Sequence, residues 1–181
     1  MNNIIYGASI DLETTGLLPR VHEICEICII LFNEDFNRIN IFKSYIKPET
    51  PWTIQQGALD RNKLTKEFLN KQPKKIEVRN ILINWLSENI KKPIDPMGHY
   101  YHFDQDFLEL FLGIDIYNLY FSREVRDTKV LAKGLKDKEL LQKDFKISLE
   151  NLCEYYGIKT KNHTAEGDAM AALKLWSKIL Q

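Results

Sequence analysis

Three β-rich runs follow one another within the first 46 residues, with only short turn segments between them: Ile4 to Glu13, Glu23 to Phe32 and Ile39 to Ile46. Turn-forming residues close the first at Thr14-Thr15-Gly16 and the third at Lys47-Pro48. Runs joined so tightly have no room for the crossover that parallel pairing needs, so an antiparallel meander is expected. The pattern then changes from period two to period 3.6. Val78, Leu82, Trp85, Leu86 and Ile90 mark an amphipathic helix that stops before Pro93.

A short apolar strand is expected from Ile94 to Gly98, leading into a helix that places Phe103, Phe107, Leu110 and Phe111 on one face. Asp127-Thr128 looks like another helix start, and Ser148 suits the N-cap of a helix carrying Leu149, Leu152, Cys153 and Tyr156 before Gly157. A last helix from about Thr164 would bury Ala169, Leu173, Trp176 and Leu180. Three strands followed by alternating strand and helix predict an α/β fold. Its mixed central sheet would combine a three-stranded antiparallel meander with parallel strands, flanked by helices.

The 181 residues, 44% of them hydrophobic, suffice for one core, and residues 1–181 are expected to form a single domain. The 25 basic residues balance 25 acidic ones, which excludes a general polyanion coater and leaves local patches and bound cations to attract nucleic acid. No basic and apolar leader opens the sequence, and no run approaches the roughly 18 apolar residues that span a bilayer. A cytoplasmic protein without a membrane partner is the expectation. Cys25 and Cys28 form a C-x-x-C, but on a strand a separation of three sends the side chains to opposite faces, so both are expected to be buried thiols.

The opening run ends in S-I-D-L-E-T-T-G-L. Asp11 and Glu13, two apart, project from one strand face, roughly 6.6 Å apart along the backbone, and can converge on shared cations. A solvated strand end explains the pair equally well in isolation. Asp104, in G-H-Y-Y-H-F-D-Q-D-F-L, opens a helix directly after the apolar strand, where the helix dipole favours a carboxylate whether or not it has a function. Asp106, two positions on, points elsewhere. Asp168 lies in the first turn of the last helix, five residues after His163. Five helical residues rotate by about 140°, so His163 belongs on the preceding loop, from which it can swing over a cation held by Asp168.

In this order, Asp11-x-Glu13, Asp104, and His163 with Asp168 resemble the DEDDh exonucleases, the DnaQ-like group with a ribonuclease H-like fold. The resemblance runs from the first strand to the last helix. It includes T-T-G-L after Glu13, Asp127-Thr128 with Leu131-Ala132, and S-L-E-N-L-C-E-Y-Y-G-I. It implies a 3′–5′ exonuclease acting on single-stranded nucleic acid, DNA favoured, by a mechanism using two divalent cations, Mg²⁺ or Mn²⁺. Asp11, Glu13, Asp104 and Asp168 would be the metal ligands and His163 the general base.

The resemblance further implies that Thr14 and Thr15 meet the terminal 3′ hydroxyl through backbone N–H groups and that Leu17 wedges against its base. His99, Tyr100 and Phe103 are candidates for base contacts, and Lys159 and Lys161 for phosphate contacts. Single-stranded DNA or RNA 3′ ends are the expected partners, with a polymerase or a second copy of the chain as protein partner. Alternatives are an exoribonuclease or oligoribonuclease-like trimming enzyme, and a non-catalytic nucleic-acid-binding module. In one place the sequence departs from the family: Tyr100 stands where an asparagine usually follows the histidine of the second motif.

Overall fold

The computed structural model describes residues 4–160 and 163–180. Its sheet has the order β3-β2-β1-β4-β5, built from β1 (Gly7–Thr14), β2 (Ile24–Phe32), β3 (Arg38–Tyr45), β4 (Asp95–Gly98) and β5 (Arg126–Asp127). β1–β2 and β2–β3 are antiparallel, as the short turns require, while β1–β4 and β4–β5 are parallel. This is the expected mixed sheet. The first strand starts at Gly7, later than the sequence suggests, and Ile4 is exposed.

The helices are α1 (Gln56–Asn62), α2 (Lys66–Leu69), α3 (Lys75–Asn89), α4 (Tyr101–Leu112), α5 (Ile114–Tyr120), α6 (Thr128–Asp137), α7 (Leu149–Tyr155) and α8 (Ala165–Ile179). β2 is buried along its whole length because helices cover both faces of the sheet. On one face, Ile10, Leu12, Ile27 and Ile29 meet Val78, Leu82 and Leu86 of α3 and Phe107, Leu108 and Phe111 of α4. On the other, Cys28, Ile30, Phe32 and Met97 receive Ala165, Ala169 and Leu173 of α8. Cys25 packs on the opposite side from Cys28, with Leu59 and Leu69. The two thiols are free, buried and pushed up to about 12 chiefly by burial.

Two apolar assignments need correction. Leu110 is 52% exposed, because the buried stripe of α4 is centred on Asp104, Phe107, Leu108 and Phe111, and a step of about 100° per residue carries position 110 off that stripe. Leu180 is also exposed, since it follows the last turn of α8, where Leu175 is buried instead. Among the described residues, no helix is long and apolar enough to cross a membrane.

Small residues set the distance between α8 and the sheet. Ala165, Ala169 and Ala172 let the helix lie close, and the buried Ser9 hydroxyl of β1 donates to the Ala169 carbonyl at 2.7 Å. A second tie lies at the β5 edge of the sheet. The Asp127 carboxylate accepts from Lys129 N and Val130 N at the start of α6 and from Tyr100 N and Tyr101 N at the start of α4. One buried side chain thus satisfies orphan donors of two helices. With a single cap worth about 0.5–2 kcal/mol, Asp127→Ala is expected to cost about 1–4 kcal/mol, read as a lower midpoint in urea with an unchanged slope.

Candidate active site

Asp11 and Glu13 project from the same face of β1, as their spacing predicts, and Asp168 reaches them from the first turn of α8. Oxygen atoms of these three carboxylates all lie within 4.8 Å of one another. Asp104 joins from α4 in a different way. β4 pairs with β1 only from Gly7 to Ser9, so the Leu12 N–H extends beyond it, and the buried Asp104 carboxylate accepts from that N–H at 2.9 Å. Asp106, by contrast, is exposed and lines a separate groove with Leu18, Val21 and Leu110.

His163 stands on the bend just before α8, as the rotation argument requires. Its backbone N–H donates to Asp168 at 3.2 Å, and Thr164 caps the helix by accepting from Gly167 N. His163, Asp11, Glu13 and Asp168 line one cavity of about 480 Å³. Thr14, Leu17 and Phe103 also line it.

The remaining candidates sit elsewhere. Thr15 is fully buried. Its N–H donates to the Glu23 carbonyl and its hydroxyl accepts from Glu23 N, so Thr15 holds the turn together and its N–H is not available to a 3′ hydroxyl. His99 places Nδ1 2.9 Å from the Thr128 hydroxyl, and burial pulls it down to about 4; it does not line the cavity. Tyr100 is likewise outside it, half-exposed with the Lys129 ammonium 4.1 Å from its ring centroid. Its φ of 65° lies in the left-handed region, which asparagine tolerates better than a bulky aromatic. Lys159 is exposed on a neighbouring surface, and Lys161 lies outside the described residues.

Several residues that build the site carry no sequence signal of their own. Gln55, Gly57, Ala58, Arg61 and Asn62 line the cavity from α1 and its N-cap. Asn62 is buried and donates its amide to the Thr14 carbonyl at 3.3 Å. The His22 ring packs where a side chain on Gly16 would otherwise stand, and its Nδ1 accepts from Leu18 N at 3.0 Å, anchoring the segment after Glu13. Glu26 faces Glu13 across the β1–β2 ladder. Its carboxylate reaches Ala165 N at 3.4 Å and lies 3.6 Å from the Lys43 ammonium, outside hydrogen-bond reach on that oxygen.

Electrostatically the site is an excess of negative charge held out of water. Burial, followed by repulsion from Asp104, Glu13, Asp168 and Glu26, drives the Asp11 carboxyl well above the usual range. Burial raises Glu13 and Asp104 to about 8, with neighbouring carboxylates adding to it. Asp168 and Glu26 move in the same direction for the same first cause. Repulsion of this kind is relieved either by protons or by cations. Converging hard oxygen donors with open space beside them suit Mg²⁺ or Mn²⁺, so the residues present fit a divalent metal centre.

The RNase T exonuclease family model matches residues 9–176. The chain is 27% identical over 173 residues to the PolC-type DNA polymerase III of Thermotoga petrophila, and equally to that of Thermotoga maritima, covering 95% of this chain and 12% of each polymerase. Among solved structures, E. coli exonuclease I in its zinc-bound complex with single-stranded DNA superposes with a TM-score of 0.76 at 18% identity, over 96% of this chain and 40% of that one. The same enzyme with a dT13 oligonucleotide gives 0.74 at 18%, over the same shares. At such identity the likeness is one of fold, and the chain spans well under half the length of each of these proteins.

Proposed function

This chain belongs to the RNase T exonuclease family, the DnaQ-like nucleases, and from that premise we propose that it removes nucleotides one at a time from the 3′ end of a single strand, DNA favoured. The observation that carries the reading is the meeting of Asp11, Glu13 and Asp168 within 4.8 Å, in a cavity that His163 also lines. In this reading Asp11, Glu13, Asp104 and Asp168 hold two divalent cations. Bound there, such ions supply Lewis-acid stabilisation of the charge that builds on the phosphate and on the departing oxygen.

The chain's own residues do the rest. An imidazole nitrogen of His163 takes a proton from the attacking water. The water oxygen forms a bond to phosphorus as the bond from phosphorus to the 3′ oxygen of the preceding nucleotide breaks. That oxygen gains a proton, leaving a strand one residue shorter with a new 3′ hydroxyl and a nucleoside 5′-monophosphate. Leu17, exposed beside the cavity, closes it against the terminal base, and Thr14 and Phe103 line the pocket around it. Asp104 also fixes β1, because its bond to Leu12 N sets the strand between the two ligands Asp11 and Glu13.

The PolC-type relatives support a polymerase as the working context of such a domain, and the single-stranded DNA in the exonuclease I structures supports the choice of substrate. One gel tests the proposal. DNA and RNA strands labelled at the 5′ end are incubated with Mg²⁺ or Mn²⁺, with and without chelator. A ladder that shortens from the 3′ end, faster on DNA and abolished by chelator, is expected. Intact strands of both kinds after prolonged incubation with Mn²⁺ would leave only a binding role.

A further inference from the structure

We infer that Arg61 grips the non-bridging oxygens of the scissile phosphate and then the 5′-phosphate of the released mononucleotide, an assignment that rests on the exonuclease reading above. A phosphodiester entering this cavity meets three converging carboxylates. Among the described residues that line it, Arg61 is the one with a permanent positive charge.

Its placement is fixed by the fold. Gly57 and Ala58 lie one turn earlier on α1, so the three share a helix face turned to the cavity. Both are small, and a side-chain carbon added at Gly57 would meet nothing within 4 Å, so the face one turn before Arg61 is open. Leu59, on the far side of α1, is buried against Cys25 and Leu69, and Asn62 is bonded to the Thr14 carbonyl. α1 is thereby locked to the end of the strand that carries Glu13.

The guanidinium is also uncommitted. Its neighbour Asp60 is bonded by the Gln56 amide at 2.8 Å, and none of the ion pairs among the described residues includes Arg61. Its charge nevertheless reaches Glu13, opposing the upward drift of that carboxyl. A planar fork of donors matches two phosphate oxygens in a way a lysine cannot. The product, a phosphate monoester, carries close to two negative charges at neutral pH against one on the diester, so the same contact holds product more tightly than substrate.

The test compares the full chain with its Arg61→Ala, Arg61→Gln and Arg61→Lys variants. KM and kcat are measured on a 5′-labelled strand, together with inhibition by thymidine 5′-monophosphate and by thymidine, and direct binding of the monophosphate is followed by calorimetry. Arg61→Ala is expected to raise KM and to weaken monophosphate binding by about 10- to 100-fold, leaving thymidine inhibition and the melting temperature unchanged. Arg61→Lys should recover part of the loss and Arg61→Gln none. The loss should persist on a strand whose 3′-terminal nucleotide lacks a base.

A loss confined to base-bearing termini overturns the phosphate assignment in favour of base contact. An active wild type whose Arg61→Ala variant keeps its KM and monophosphate affinity overturns the role of Arg61 alone. A wild type that shortens no strand overturns the exonuclease reading and takes the Arg61 assignment with it.

Discussion

Asparagine in place of Asp11 is expected to slow strand shortening by more than about 10³-fold, a loss of about 4 kcal/mol in stabilising the transition state, while making the metal-free protein more stable at pH 8. The two effects have one cause. Burial and mutual repulsion hold Asp11 well above the usual carboxylate range and Glu13 and Asp104 at about 8. A carboxyl raised on folding binds its proton more tightly in the folded chain. Its contribution to stability is complete below the unfolded value and is lost as pH rises through the folded one. The metal-free protein should therefore lose stability between the ordinary carboxylate values of 3.8 to 4.5 and about 8.

A neutral amide at position 11 removes one charge from the cluster and flattens that decline. A divalent cation does the same from outside. At 100 times its dissociation constant it adds about 2.7 kcal/mol, a rise of about 5–10 °C in the melting midpoint for a chain of this size. Thermal melts at pH 5, 6.5 and 8, in chelator and in Mg²⁺, check this for the wild type and Asp11→Asn. A wild-type midpoint in chelator that does not fall with pH, or a variant that still shortens strands normally, would sink the ligand assignment.

Removing the His163 imidazole should lower kcat by about 10²–10⁴-fold while leaving the metal-dependent rise in melting temperature intact. The separation is possible because His163 has two attachments to the site. Its backbone N–H, which any residue supplies, bonds Asp168 and keeps that carboxylate oriented. Its side chain lines the cavity. With φ at 65°, alanine at this position adds some backbone strain that asparagine avoids, so His163→Ala and His163→Asn should be compared. Equal losses in kcat with Mg²⁺ stabilisation preserved fit a proton-transfer role. A kcat within about twofold of wild type in either variant would remove His163 from the chemistry.

What could be read in advance was what depends on local periodicity. β1 to β3, α3, α4, the helix starts at Asp127-Thr128 and near Thr164, and the cap at Ser148 follow from alternation, helical spacing and side-chain oxygens placed before helix starts. α1 and α5 left no such trace. α1 buries only Leu59 and Asn62, and α5 is rich in β-branched and aromatic residues, so neither carries a clear apolar stripe. β5 is two residues long and exists through its pairing with β4.

The site divides along the same line. Asp11 and Glu13 were visible because two positions on one strand share a face. The bond from Leu12 N to Asp104 spans 92 positions, and the meeting of Ala165 N with Glu26 spans 139, so neither has a local signature. Arg61, His22 and Glu26 were missed for that reason: each acts through where the chain returns to, and none stands in a patterned neighbourhood.

The buried bond from Ser9 to the Ala169 carbonyl joins positions 160 apart, and it bears on how the protein is made. A ribosome-bound chain that has emerged only as far as α7 holds Asp11, Glu13 and Asp104 but lacks the helix that delivers Asp168 and the loop that delivers His163. The cluster of Asp11, Glu13 and Asp168 is therefore complete only once α8 has docked against the sheet. A chain cut upstream of position 165 lacks Asp168, so it is expected to shorten no strand and to gain no stability from Mg²⁺.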